Sequence, residues 1–397
     1  MGYRDKVKSN IPKVALHSID SLIAGSYKTG KTRLWKEVTE LHYANPDEVL
    51  LLAFESGYET WELDSFIPIH QEGSDEELWK VWEYFKKVVV PDLVKEAKEK
   101  RIVKLLGIDT ADRCVDAATA WLLKDRAKKY GVAEIVSLQE LGDVSLNKEN
   151  GYTALYEEMK KPFDALKNAG YGKVSLAWTK EKETTLYNGM KYNSIELMMH
   201  QTARKIFESQ ASLICCLFNE VTVVDKSGKE MEDNIKDKKG REKGTNFHET
   251  RTVMAFRPTE YISIAGGRFT ELPSDPVEYS AENFLQVYEE AVKGQLKKTT
   301  KTVEELKVEQ EQELDEKLQT VEEENKEPEI PTKTVKEYHA EIKAITTPLL
   351  KVVDSKAAIM AKFKEIFNAD KADYTIITDT TMLEKALQYV RENFPNT

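Results

Sequence analysis

The chain has 397 residues, 41% hydrophobic and 32% charged, so it can bury a core of ordinary size and is not disordered throughout. No apolar run approaches the ~20 residues of a membrane span, and the polar start behind Met1 reads as an unprocessed cytosolic N-terminus with no membrane partner. The net charge of −11 is local: Glu304 to Glu329 hold twelve acids and three lysines, a net of −9, so the near-neutral remainder stays open to nucleic acid.

In chain order, Ser21-Leu22-Ile23-Ala24 is a short apolar strand, and the loop behind it leads into a helical pattern over 32–42. The apolar runs Val49–Phe54, Val103–Ile108 and Val174–Trp178 follow, separated by helical stretches at 76–100, 114–130 and 153–169. Strands alternating with helices predict a parallel sheet covered on both faces. After Leu213–Leu217 the pattern changes. Val221–Val224, Thr252–Phe256 and Tyr261–Ile264 come without intervening helices and predict antiparallel strands added late at the sheet edge. Cys114, Cys215 and Cys216 are too few for a disulfide framework and read as buried thiols of a reducing compartment.

Three domains are expected. Residues 1–296 carry the sheet and end in a helix. Residues 297–336 lack glycine and aromatics and close with Pro328 and Pro331, the composition of an acidic charged linker. Val303, Leu306, Leu314, Leu318 and Val321 lie near helical spacing there, but Gln310 interrupts the seam, which favours a tether over a coiled coil. Residues 337–397 regain apolar periodicity and predict a small module of about three helices.

The chemistry concentrates behind the first strand. Gly25-Ser26-Tyr27-Lys28-Thr29-Gly30-Lys31-Thr32 matches the phosphate-loop pattern. Two glycines let backbone N–H groups curl round a β-phosphate, and a helix N-terminus adds its dipole. Lys31 is placed to reach the β- and γ-phosphates of ATP, and the Thr32 hydroxyl to ligate Mg²⁺. Leu105-Leu106-Gly107-Ile108-Asp109 is an apolar strand ending in a carboxylate, suited to the Mg²⁺ water shell. Asp109, Thr110 and Asp112 are equally able to cap the helix that follows. Glu55, at the end of the Val49–Phe54 strand, is the candidate general base, the position after Asp109 being Thr110 rather than a carboxylate. An exposed turn glutamate is the alternative there.

With Phe54-Glu55-Ser56-Gly57, Ile108-Asp109-Thr110, Gly151-Tyr152, Thr179–Lys182 and Ala265–Phe269 added to the phosphate loop, residues 15–275 resemble the phage-encoded RecA-like ATPases of the Sak single-strand annealing group. The resemblance implies an α/β RecA-like core, ATP and Mg²⁺ as cofactors, and action on single-stranded DNA in recombination. It also implies the host bacterial cytoplasm as the compartment. Trp178 stands where such proteins often have a histidine, which puts a sensor role there in doubt.

ATPases of this type work between subunits, so a homo-oligomer is expected, with Arg257 or Arg268 as a finger reaching the γ-phosphate across an interface. Lys180 and Lys182 are rivals, and surface salt bridges the alternative for each. Two loops suit single-stranded DNA: Lys180–Tyr192, which mixes cations with Tyr187 and Tyr192, and the basic insertion Lys236–Lys243. Solvated hairpin tips remain the plainer reading of both. The C-terminal module is expected to recruit a single-strand-binding or other recombination protein. A small-molecule kinase and a nucleotide-dependent switch stay open as alternatives, although no lid-like arginine pair accompanies the loop.

Overall fold

The computed structural model describes residues 7, 10–146, 148–224, 235–236, 242–243, 248–297, 299–324, 335–350, 353–367, 369 and 371–394. The chain divides into two compact units, Met1–Leu318 and Gln319–Thr397.

The parallel core of the first unit consists of β1 (Ser21–Gly25), β2 (Val49–Ala53), β3 (Phe66–Ile67), β4 (Leu105–Asp109), β5 (Gly172–Thr185) and the start of β7 (Leu213–Val223). β6 (Lys191–Leu197) folds back antiparallel on the far half of β5. β8 (Ile235–Lys236) pairs with β9 (Glu242–Lys243), while β10 (His248–Ala255), β11 (Gly266–Gly267) and β12 (Val277–Glu278) complete the antiparallel edge. The order is β12-β10-β7-β1-β5-β4-β2-β3, so β5 lies between β1 and β4. The α/β class, with a mostly parallel sheet and antiparallel strands at its edge, is as the sequence predicts.

Alternation along the strands builds two cores. Leu22 and Ala24 of β1, Leu50 and Leu52 of β2, and Leu106 and Ile108 of β4 face one of them. It is closed by α2 (Leu78–Tyr84), α3 (Val90–Lys100), α4 (Ala111–Tyr130), α5 (Leu138–Val144), α6 (Gly151–Asn168) and α7 (Gln201–Phe207). Ile23, Leu51 and Leu105 face the other, under α1 (Lys31–His42) and α8 (Ala281–Gln295). Trp35 of α1 lies directly on Gly107 of β4, where a Cβ would fall 2.6 Å from the indole.

Three local features differ from expectation. The helical stretch at 76–100 is broken by a turn of π-helix at Phe85–Val89, next to Pro91, which has no N–H to continue the ladder. Leu213–Leu217 and Val221–Val224 are not separate strands; β7 runs through, pairing β1 with its first half and β10 over most of its length. Tyr261–Ile264 is not a strand but an extended segment whose Ile262 bridges to Ile195 of β6.

The acidic segment is the largest difference. It forms α9 (Val303–Glu324), and the first compact unit extends to Leu318, well past residue 296. Leu306 is buried in the α1/α8 core, and Leu314 packs against Gly170. Gln310 does not interrupt the packing: its side-chain amide donates to Pro12 O at 2.9 Å and accepts from Val14 N at 3.2 Å. Glu311 contacts the imidazole of His17 and receives a guanidinium N–H of Arg101 at 2.6 Å. The helix is acidic on its outer face and specifically bonded on its inner one.

The second unit is helical: α10 (Val335–Leu349), α11 (Val353–Phe367) and α12 (Thr380–Asn393). Its own core holds Tyr338, Ile342, Ile359, Phe363, Leu383, Leu387 and Val390.

Candidate nucleotide site

The phosphate loop joins β1 to α1. Gly30 adopts φ 88°, a left-handed conformation open to glycine, and α1 starts at the next residue, its first N–H groups lacking intrahelical acceptors. Lys28 also has positive φ, 63°. The buried Lys31 ammonium donates to the loop's own carbonyls, Gly25 O at 3.1 Å and Ser26 O at 2.8 Å. Thr29 Oγ1 donates to Ser26 O at 2.9 Å, and the Tyr279 hydroxyl to Gly30 O at 2.9 Å.

Sheet pairing brings the two carboxylates to this loop. Ala53 is opposite Asp109 in the β2–β4 register, and the N–H groups of Phe54 and Glu55 both reach Asp109 O, at 2.6 and 3.2 Å. Glu55 thus sits beside Asp109 although the two are far apart in sequence. Thr32 Oγ1 donates to Asp109 Oδ2 at 2.7 Å, while the buried Asp109 Oδ1 has no hydrogen-bond partner. Thr110 Oγ1 donates to Glu55 Oε2 at 3.3 Å. Thr110 is also the residue that caps α4, accepting from Arg113 N; Asp112 instead accepts Trp178 N at 2.7 Å.

These groups titrate abnormally. Burial, reinforced by the charge of Asp109, pushes the Glu55 carboxyl up to about 7. Burial raises Asp109 as well, against the Thr32 bond and the Lys31 charge, and raises Asp112 to about 6. Burial lowers the Lys31 ammonium, opposed by Asp109 and Glu55. Perturbed groups of both signs in one cleft are a mark of a functional site.

The cleft has a volume of about 540 Å³ and is lined by the phosphate loop, Arg33, Glu55, Asp109 and the aromatic rings of Tyr27, Trp61 and Trp178. Its chemistry suits a polyphosphate. Backbone N–H groups and Lys31 offer positive charge, and Asp109 with Thr32 offers hard oxygen donors of the kind Mg²⁺ takes. Asp109 Oδ1, buried and unpartnered, fits that cation.

A family model described as "AAA domain" matches residues 17–259, which include every one of these groups except Tyr279. The chain belongs to the AAA domain family. The AAA domain here is thus a P-loop ATPase domain with a nucleotide-binding cleft at β1, β2 and β4. Among solved structures, a KaiC-like protein from the hyperthermophilic archaeon Pyrococcus horikoshii OT3 is similar at 13% identity and a TM-score of 0.30, over 66% of this chain and 91% of that one. No curated protein matches.

Other predicted residues lie outside the AAA domain's cleft. Arg257 donates to Leu272 O and Thr270 O, at 2.9 and 2.6 Å. Arg268 donates to Ser209 O at 3.1 Å, and its own N–H bonds Ser212 O, by the amino-terminal end of β1 and away from the phosphate loop. Lys180 and Lys182 stand on the β5–β6 hairpin, where Lys182 pairs with Glu196 at 3.2 Å and Lys191 with Glu183 at 2.6 Å. The hairpin's tip is aromatic and exposed: Leu186, Tyr187 and Met190 project from it, with Tyr192 beside them. Of the basic insertion, Lys238, Lys239 and Arg241 lie outside the described residues. Sequence reasoning missed Tyr279 and the Asp112–Trp178 bond, because both are side-chain to backbone contacts between elements remote in sequence.

Proposed function

We propose that the protein binds ATP with Mg²⁺ in this cleft, hydrolyses it, and uses it to act on single-stranded DNA in strand annealing or recombination, as the Sak-group resemblance implies. The observation that carries the hydrolysis reading is the convergence of Lys31, Thr32, Asp109 and Glu55 through β2–β4 pairing. In this reading Lys31 leaves the carbonyls of Gly25 and Ser26 for the β- and γ-phosphates, and the N–H groups at the start of α1 hold the β-phosphate. Asp109 and Thr32 hold Mg²⁺, which neutralises phosphate charge when bound. Glu55, held by Thr110, orients the attacking water and accepts its proton.

The DNA part is supported by the hairpin. Its cations are offset by Glu183 and Glu196, so it offers stacking surfaces rather than net charge. Tyr187 is fully exposed and Tyr192 about half so, as a base-stacking platform requires. ATPase turnover with and without single-stranded oligonucleotide tests both parts. Stimulation by DNA in the wild type, and no turnover in Lys31→Ala, is expected. Turnover indifferent to DNA, with no measurable binding of the oligonucleotide, removes the recombination reading and leaves the ATPase.

A further inference from the structure

Tyr27 occupies a variable position of the phosphate loop and is more than half exposed, yet its ring is engaged outside the loop. It lies against Trp178 with centroids 4.8 Å apart, and its hydroxyl donates to Met198 Sδ at 3.5 Å. Trp178 and Met198 are the two sides of one structure, the root of the β5–β6 hairpin. Met198 N donates to Trp178 O at 2.8 Å, and the ladder continues outward from Thr179–Leu197 to Thr185–Lys191, just below the tip.

Other contacts hold the root. Asp112 accepts Trp178 N from the α4 side, and Ile195 N donates to Tyr261 O at 2.6 Å on the other. Asp112 belongs to α4 and Tyr261 to the extended segment that bridges to β6, both outside the phosphate loop. Tyr27 belongs to the phosphate loop, the element in which the proposed reading draws Lys31 to a phosphate. Lys31 is bonded to the carbonyls of Gly25 and Ser26, the two residues immediately before Tyr27, and Lys28 immediately after it holds a left-handed φ that is costly for a side-chain-bearing residue. Drawing Lys31 to a phosphate releases two carbonyls on one side of Tyr27, beside a strained residue on the other.

From this we infer that Tyr27 couples nucleotide occupancy to the β5–β6 hairpin, its ring transmitting the state of the phosphate loop to Trp178 and Met198. A ligand shifts an equilibrium only through contacts that differ between the two states, and the Tyr27 ring is such a contact. The inference rests on the ATP-binding reading but not on the DNA reading, because the hairpin moves whether or not it holds a strand.

The test uses the full chain with Tyr187→Cys carrying an environment-sensitive fluorophore. Cys114, Cys215 and Cys216 are buried and leave the introduced thiol as the reactive one. Binding of a non-hydrolysable ATP analogue with Mg²⁺ is measured separately with a fluorescent nucleotide. At saturation the analogue is expected to shift the label's emission, Tyr27→Ala to lose the shift, and Tyr27→Phe, which keeps the ring, to retain most of it. Met198→Ala, outside the phosphate loop, is expected to weaken the shift and decides the matter if Tyr27→Ala no longer binds. A labelled protein that binds the analogue without any shift overturns the coupling, as does a full shift in both Tyr27→Ala and Met198→Ala. Failure of the parent protein to bind the analogue overturns the ATP reading itself, and the coupling with it.

Discussion

Thr110 donates its hydroxyl proton to Glu55 Oε2 at 3.3 Å, so the residue that caps α4 also orients the carboxylate at the end of β2. One threonine therefore links the two strands that supply the acidic half of the cleft. Because the bond favours the ionised form, it opposes the burial and the Asp109 charge that hold the Glu55 proton on.

Glu55→Gln keeps the size of the side chain and removes the proposed base. ATP should still bind while turnover falls by ~10²–10⁴. In the wild type kcat/KM should rise with pH through about 7, where Glu55 loses its proton. That limb should vanish in the variant. A pH profile of wild type and Glu55→Gln side by side checks both statements.

Stability should show the opposite pH trend. Glu55 and Asp112 hold protons more tightly folded than unfolded, so their contribution is fully present below the ordinary carboxylate value. It is lost as pH rises through about 7 and about 6 respectively. Glu55→Gln should therefore gain in Tm on the wild type between about pH 5 and pH 8. Thermal melts at the two values, without nucleotide, measure the difference.

The acidic helix makes truncation position-sensitive. A chain ending at residue 324 gives the reference Tm of the first unit with its helix α9 intact. Cutting after residue 296 should lower it, because Arg101 loses Glu311 and the surface under Leu306 opens to water. Leu306→Ala alone should cost about 2–5 kcal/mol, read from urea midpoints.

Hairpin binding of single strands should depend on rings more than on charge. Tyr187→Ala should cost roughly 1–3 kcal/mol of oligonucleotide affinity. The log–log salt slope should stay nearly the same, because Lys182 and Lys191 already have carboxylate partners. A salt titration by fluorescence anisotropy separates the two terms.

The phosphate loop was legible because its chemistry needs eight contiguous residues, and Asp109 because an apolar strand ends on it. Glu55 could be nominated from its strand end, but its closeness to Asp109 depends on β2 pairing with β4, which no local pattern specifies. Gln310 was misread for a related reason. A polar residue on an apolar seam looks like an interruption until the backbone of residues 12 and 14 is seen to meet its amide. Likewise, the paired hairpin lysines look like a basic patch in sequence and are neutralised across the ladder.

Gly107 has a reach beyond its own strand. It lies two residues before Asp109, and the indole of Trp35 rests on it where a methyl group would otherwise stand. Trp35 is one turn beyond Lys31 on α1. The strand that presents the carboxylate is thus also the seat against which the helix carrying the ammonium is levelled. A single added carbon at 107 would press on that indole, so the seating of the helix behind the phosphate loop depends on a residue outside the cleft. The spacing between the cationic and acidic walls of the cleft is therefore gauged by an absent side chain.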